Sequence, residues 1–114
     1  MTEENSISYG ISEMNGWTVW SVKGALSMFT SKAAGIEGEK VLSGTAKMAL
    51  DMSELEYLSS AGLRMILCLA KKAEAEGRQF VLCAPQGMAK QVLRESRMDM
   101  LIKTCQRCEE LEQE

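Results

Sequence analysis

The stretch Tyr57-Leu58-Ser59-Ser60-Ala61-Gly62-Leu63 carries a hydrophobic strand into two serines, two small residues and the start of an amphipathic helix. Hydroxyls at a helix N-terminus lie beside amides that lack an intrahelical acceptor, at the positive end of the helix dipole. Either serine can act there as a plain N-cap. The same place also favours negative charge, so a phosphate added to one of these hydroxyls would be locally welcome.

The flanking segments define the frame. Upstream, residues 47–52 (Lys-Met-Ala-Leu-Asp-Met) are mainly apolar and short enough for a central strand, which leads into the serines through residues 53–57. Downstream, apolar residues at 63, 66, 67, 70 and 73 have the spacing of a helix burying one stripe, and Gly77 is placed to end it in a left-handed conformation. Residues 79–84 (Gln-Phe-Val-Leu-Cys-Ala) read as a strand buried on both faces and closed by Pro85. Met88, Ala89, Val92 and Leu93 begin another amphipathic helix, and Met100-Leu101-Ile102 form a last short apolar piece, read as a strand. Strands and helices alternating over short connections imply parallel pairing with right-handed crossovers.

The N-terminal part reads differently. Ile7, Tyr9 and Ile11 alternate with small polar residues, the period of a strand with one buried face. Asn15-Gly16 tolerates the positive φ of a tight turn, and residues 17–23 (Trp-Thr-Val-Trp-Ser-Val-Lys) return as the second strand of a β-hairpin. Between residues 24 and 44, Ser27 or Thr30 is placed to cap a helix, while Gly35 and Gly38 weaken its middle, so a short or irregular helix is expected there.

With 114 residues, 46% hydrophobic and 25% charged, the chain fits one α/β domain over residues 1–114. A net charge of −3 with interspersed signs provides no basic stripe for direct nucleic-acid binding. No apolar run approaches the ~18 residues that span a bilayer, and residues 1–5 are acidic, without the apolar region of a leader. No membrane insertion and a cytoplasmic location are therefore expected. Cys68 and Cys83 lie in apolar runs and read as reduced, small core residues. Cys105-Gln106-Arg107-Cys108 has the spacing of half a zinc site or a redox pair, but the chain has no histidine and no second such pair.

Without histidine there is no Ser-His or Cys-His couple, and no glycine-rich phosphate loop is present. Asp51, Glu54 and Glu56 read as solvated charges rather than as acid, base or magnesium ligands. An enzyme is not expected, nor is a cofactor. On the helix after the serines, Leu63, Leu67 and Ala70 set the expected buried direction, which turns Met65 and Cys68 outward beside Arg64 and Lys72. Met65 and Leu69 would then form an apolar ridge flanked by cations, suited to a switchable protein contact.

Asp51-Met52-Ser53, Tyr57-Leu58-Ser59-Ser60-Ala61-Gly62-Leu63-Arg64, Ala70-Lys71-Lys72-Ala73 and Gly77 together resemble the STAS domain of bacterial anti-sigma factor antagonists. The hairpin, Gly24-Ala25-Leu26-Ser27 and the Val92-Leu93 helix extend the likeness over nearly the whole chain. The resemblance implies a mixed sheet of four or five strands with an N-terminal β-hairpin and helices packed on it. It also implies partner switching: the unphosphorylated chain binds an anti-sigma factor serine kinase and is released by phosphorylation at Ser60, with Ser59 the second choice. The implied contact surface is Ser27, Met28, Ser59, Ser60, Ala61, Arg64, Met65 and Leu69. Ser59 stands where the family often has Asp, Ala61 where it often has Ser, Ser27 in place of a common Asp, and Arg97 where a Gly commonly ends the last long helix. The alternative is a non-phosphorylated STAS accessory subunit of a membrane lipid- or sulfate-transport complex, and a nucleotide-handling enzyme is a third reading that lacks a motif.

Overall fold

The computed structural model describes residues 6–111, so the absence of a leader read from residues 1–5 lies outside it. Asn15 and Gly16 both take positive φ, 54° and 87°, as a two-residue hairpin turn matched to strand twist requires. They join β1 (Ile7–Met14) to β2 (Trp17–Leu26) with Met14 opposite Trp17. The longer β2 then serves two neighbours. Along Thr18 to Ser21 it runs parallel to β3 (Lys47–Asp51), and beyond a register shift at Gly24 it runs parallel to β4 (Leu55–Leu58). β5 (Gln79–Cys83) pairs with β3, and the two-residue β6 (Thr104–Cys105) pairs with β5. The mixed sheet thus has the order β1-β2-β3-β5-β6 with β4 on β2, six strands rather than four or five. Helical crossovers account for the parallel part.

Residues 31–43 form a regular helix, α1 (Ser31–Ser43), not a short or irregular one. Its glycines are points of close approach. A Cβ on Gly38 would stand 2.8 Å from the Trp20 ring and 2.9 Å from a Leu69 methyl, and one on Gly35 would stand 3.0 Å from Met65 Cγ. The helix propensity lost at each glycine, about 1 kcal/mol, is offset by the packing that the missing side chain permits. α1 lies against α2 (Ser60–Ala75), while α3 (Gly87–Glu95) packs on β4.

The alternation of strand side chains creates two cores. Trp20, Val22, Met48, Leu50 and Leu82 face the helices and pack with Ala34 and Leu42 of α1, Ile66 and Leu69 of α2, and Leu93 of α3. Each such aliphatic side chain contributes roughly 1.5–3 kcal/mol by leaving water. On the opposite face Trp17, Val19, Ala49, Val81 and Cys83 are covered by the C-terminal segment through Leu111, whose carbonyl accepts a 2.8 Å hydrogen bond from Asn15 Nδ2.

Some local expectations are corrected. Tyr9 and Ile11 point to the helix side of β1, but the helices sit over β2, β3, β4 and β5, so Ile11 is exposed and Tyr9 only stacks on Trp20 at 5.9 Å. Met100 and Leu101 belong not to a strand but to a four-residue helix, α4 (Met98–Leu101), and only Ile102 enters the core. Cys68 is exposed rather than a core residue, whereas Cys83 is buried. Gly77 does take a left-handed conformation, and so does Arg97, at φ 65°, where the last long helix turns into α4.

Candidate functional site

The two serines of the opening segment have different tasks. Ser59 is the extended N-cap residue of α2: its Oγ accepts from the Gly62 amide at 3.2 Å and donates to the Leu26 carbonyl at 2.9 Å. Its amide also donates to Leu26 at 2.9 Å, so the end of β2 and the start of α2 are tied through one residue. Gly62 permits this closeness, since a Cβ there would come within 2.9 Å of Leu58 and Leu26 side chains. Ser60 is the first helical residue and is exposed, and its hydroxyl has no hydrogen bond to any described residue. It stands at the helix mouth, where backbone amides favour an anion.

Beside Ser60 opens a shallow groove between α1 and α2, of about 390 Å³. Ala61, Arg64, Met65 and Cys68 line it from α2; Met28, Lys32, Ile36 and Glu39 line it from the α1 side. Met28 and Ile36, 74% and 51% exposed, form its apolar rim. Among the expected contact residues, Met28, Ser60, Ala61 and Arg64 therefore share one accessible surface.

Three expected residues do not. Met65 is 8% exposed and forms the floor of the groove, and Leu69 is 1% exposed beneath Gly38, so the outward Met65–Leu69 ridge is not present. The buried stripe of α2 is Gly62, Met65, Ile66, Leu69 and Ala73, about a third of a turn from the expected direction, because α1 covers that flank. Leu63, Leu67 and Ala70 are only partly buried at the margin of the core. Ser27 is also buried: its Oγ accepts from the Phe29 amide at 3.1 Å and its carbonyl accepts from Ser31 Oγ at 2.6 Å. It shapes the turn that presents Met28 rather than meeting solvent. Lys32, Ile36 and Glu39 were missed, although their i, i+4, i+7 spacing marks one face once residues 31–43 are taken as a full helix.

Among the described residues no group of three or more Cys, Asp or Glu side chains is placed to hold a metal ion. Nor is any helix among them long and apolar enough to cross a membrane.

The fold finds counterparts among known proteins. Residues 8–111 match the STAS domain. The chain belongs to the STAS-domain family. This STAS chain is 31% identical over 74 residues to a Bordetella bronchiseptica protein provisionally named anti-sigma factor antagonist BtrV, a stretch that is 62% of each chain. It is also 31% identical over 75 residues to the anti-sigma-F factor antagonist RsfB of Mycobacterium tuberculosis, covering 63% of this chain and 60% of RsfB. The STAS chain thus spans about three fifths of the length of the curated relatives it matches. Its structure is similar to that of an anti-sigma factor antagonist from Mycobacterium paratuberculosis, with a TM-score of 0.82, 22% identity and 95% and 92% of the two chains covered. It is also similar to the anti-sigma factor antagonist SpoIIAA in its unphosphorylated form, with a TM-score of 0.68, 14% identity and 85% and 87% covered. At such identities the likeness is one of fold.

Proposed function

We propose that this STAS domain is an anti-sigma factor antagonist that binds an anti-sigma factor serine kinase through the groove between α1 and α2, and that phosphorylation of Ser60 releases the partner. The observation that carries the reading is the division between the two serines: Ser59 Oγ is committed to Leu26 and Gly62, whereas Ser60 is exposed with its hydroxyl unengaged. The names of the relatives support the antagonist role, and one structural relative, SpoIIAA, has both an unphosphorylated and a phosphorylated form.

The chemistry is electrostatic. A phosphoserine carries about −1.5 to −2 charge at neutral pH, and at Ser60 it would stand beside the Ala61 and Met28 surface. Bringing that charge into a partly apolar interface costs on the order of several kcal/mol unless it is paired. Arg64, one turn further along the helix, is placed to pair with the phosphate, which would withdraw its guanidinium from a partner. A loss of a few kcal/mol turns micromolar binding into millimolar.

Mass spectrometry of the protein from its own cells should find phosphate on Ser60. Ser60→Asp should weaken binding of the cognate anti-sigma factor at least tenfold, while Ser60→Ala should bind like the wild type. Phosphate on Ser59 instead, or equal affinities for Ser60→Asp and wild type, would overturn the proposal.

A further inference from the structure

Strand register sets four side chains in a row across the sheet. Ser21 lies opposite Asp51, Asp51 opposite Cys83, and Cys83 opposite Cys105, so the row runs from the middle of β2 across the C-terminal ends of β3, β5 and β6. Directly paired residues share a face, and this is the face that carries no helix. The chain then folds back over it. After β6, Gln106 and Arg107 lead into a 3-10 turn (Cys108–Glu110) that brings Cys108 onto the row, packed with Cys83 and Cys105 in the second core. In that core Cys108 lies near enough to Cys83 and to the Asp51 carboxylate for both to act on its thiol. Asp51 is itself held by Ser21 Oγ at 3.1 Å and by the Ser53 amide at 3.0 Å. The sequence pair Cys105 and Cys108 therefore gains a third sulfur from 25 positions before Cys108.

We propose that Cys83 and Cys108 are a modification site, closing a disulfide that pins the C-terminal segment to the helix-free face of the sheet. Cys83 is buried in the second core and Cys108 packs against that core from the segment after β6, whereas Cys105 is held beside Cys83 by the β5–β6 pairing. The oxidant is a low-molecular-weight disulfide. Cys108, half-buried, attacks it as the thiolate, forming a mixed disulfide and releasing one small thiol; Cys83 then attacks the Cys108 sulfur and expels the second. Two protein thiols are oxidised and one small disulfide is reduced to two thiols. Burial first, then the Asp51 carboxylate, raises the Cys108 thiol above its ordinary range, and Cys83, Cys105 and Glu109 complete its surroundings. Exchange is accordingly slow at neutral pH and faster in mild alkali. The closed bond holds down a segment that Leu111 and its bond from Asn15 also tie to this face.

The test is incubation of the full chain with oxidised glutathione at mildly alkaline pH, followed by tryptic digestion without reductant. Cleavage after Lys and Arg places each cysteine on its own peptide, residues 65–71, 79–90, 104–107 and 108–114. The expected product is 79–90 joined to 108–114, lighter than their sum by two hydrogens. Cys105→Ser should retain this link and Cys108→Ser should abolish it, both variants keeping the far-ultraviolet dichroism of the wild type. A link between 104–107 and 108–114, or glutathione adducts with no internal link, would overturn the proposal.

Discussion

The Ser59 hydroxyl donates to the Leu26 carbonyl over 2.9 Å, so the residue that caps α2 also fastens that helix to the last residue of β2. Replacing Ser59 by Ala removes a cap and a tertiary tie together and should cost about 1–2 kcal/mol in urea unfolding. Ser60→Ala removes no such bond and should stay within about 0.5 kcal/mol of the wild type. Equal stability of the two variants would contradict the division of tasks.

Gly38→Ala offers a sharp test of the helix contact. On propensity alone it should stabilise α1 by about 1 kcal/mol. Because the new Cβ would meet Trp20 at 2.8 Å and Leu69 at 2.9 Å, a net destabilisation of about 1–3 kcal/mol is expected instead. Gly44→Ala, whose Cβ would meet nothing closer than 3.7 Å, is the control and should leave the unfolding midpoint nearly unchanged.

The rim and the floor of the groove should separate experimentally. Met28→Glu and Ile36→Glu alter exposed side chains, so thermal stability should hold while affinity for the anti-sigma factor falls tenfold or more. Leu69→Ala empties a core position and should cost about 2–5 kcal/mol. If Leu69→Ala weakened binding without lowering stability, the placement of Leu69 beneath α1 would be wrong.

Alkali should destabilise the fold through the buried thiols. Burial, followed by Cys108 and Cys105, pushes the Cys83 thiol up from its ordinary value of 9.0, and burial with Asp51 pushes Cys108 up as well. The unfolded chain therefore loses these protons first, and stability that is complete below pH 9 declines as the pH rises above it. The slope approaches about 1.4 kcal/mol per pH unit for each thiol still protonated in the native state. Melting curves from pH 7.5 to 10.5 under reducing conditions should show a shallower alkaline decline for Cys108→Ser than for the wild type.

Much of this fold was legible because its signals are short-range. Asn15-Gly16, the apolar strands and Gly77 act through their own backbone preferences and those of adjacent residues. The opening of α2 at the serines was legible for the same reason. The errors at Met100-Leu101-Ile102 and along β1 arose where apolar residues remain in water, which periodicity alone does not reveal.

The sequence by itself determined the order of elements, the hairpin, the helix mouth at Ser59 and Ser60 and the family resemblance, since each is written in neighbouring residues. Only the tertiary structure decided which flank of α2 is buried, because the apolar arc from Met65 through Ile66 to Leu67 and Ala70 is wider than one stripe and α1 selects part of it. The same long-range packing turned Gly35 and Gly38 from weak points into contacts and gave Ser59 its bond to Leu26, 33 residues away. It also gathered Cys83, Cys105 and Cys108 at the end of the sheet, where β5–β6 register pairs Cys83 with Cys105 and the turn after β6 brings in Cys108.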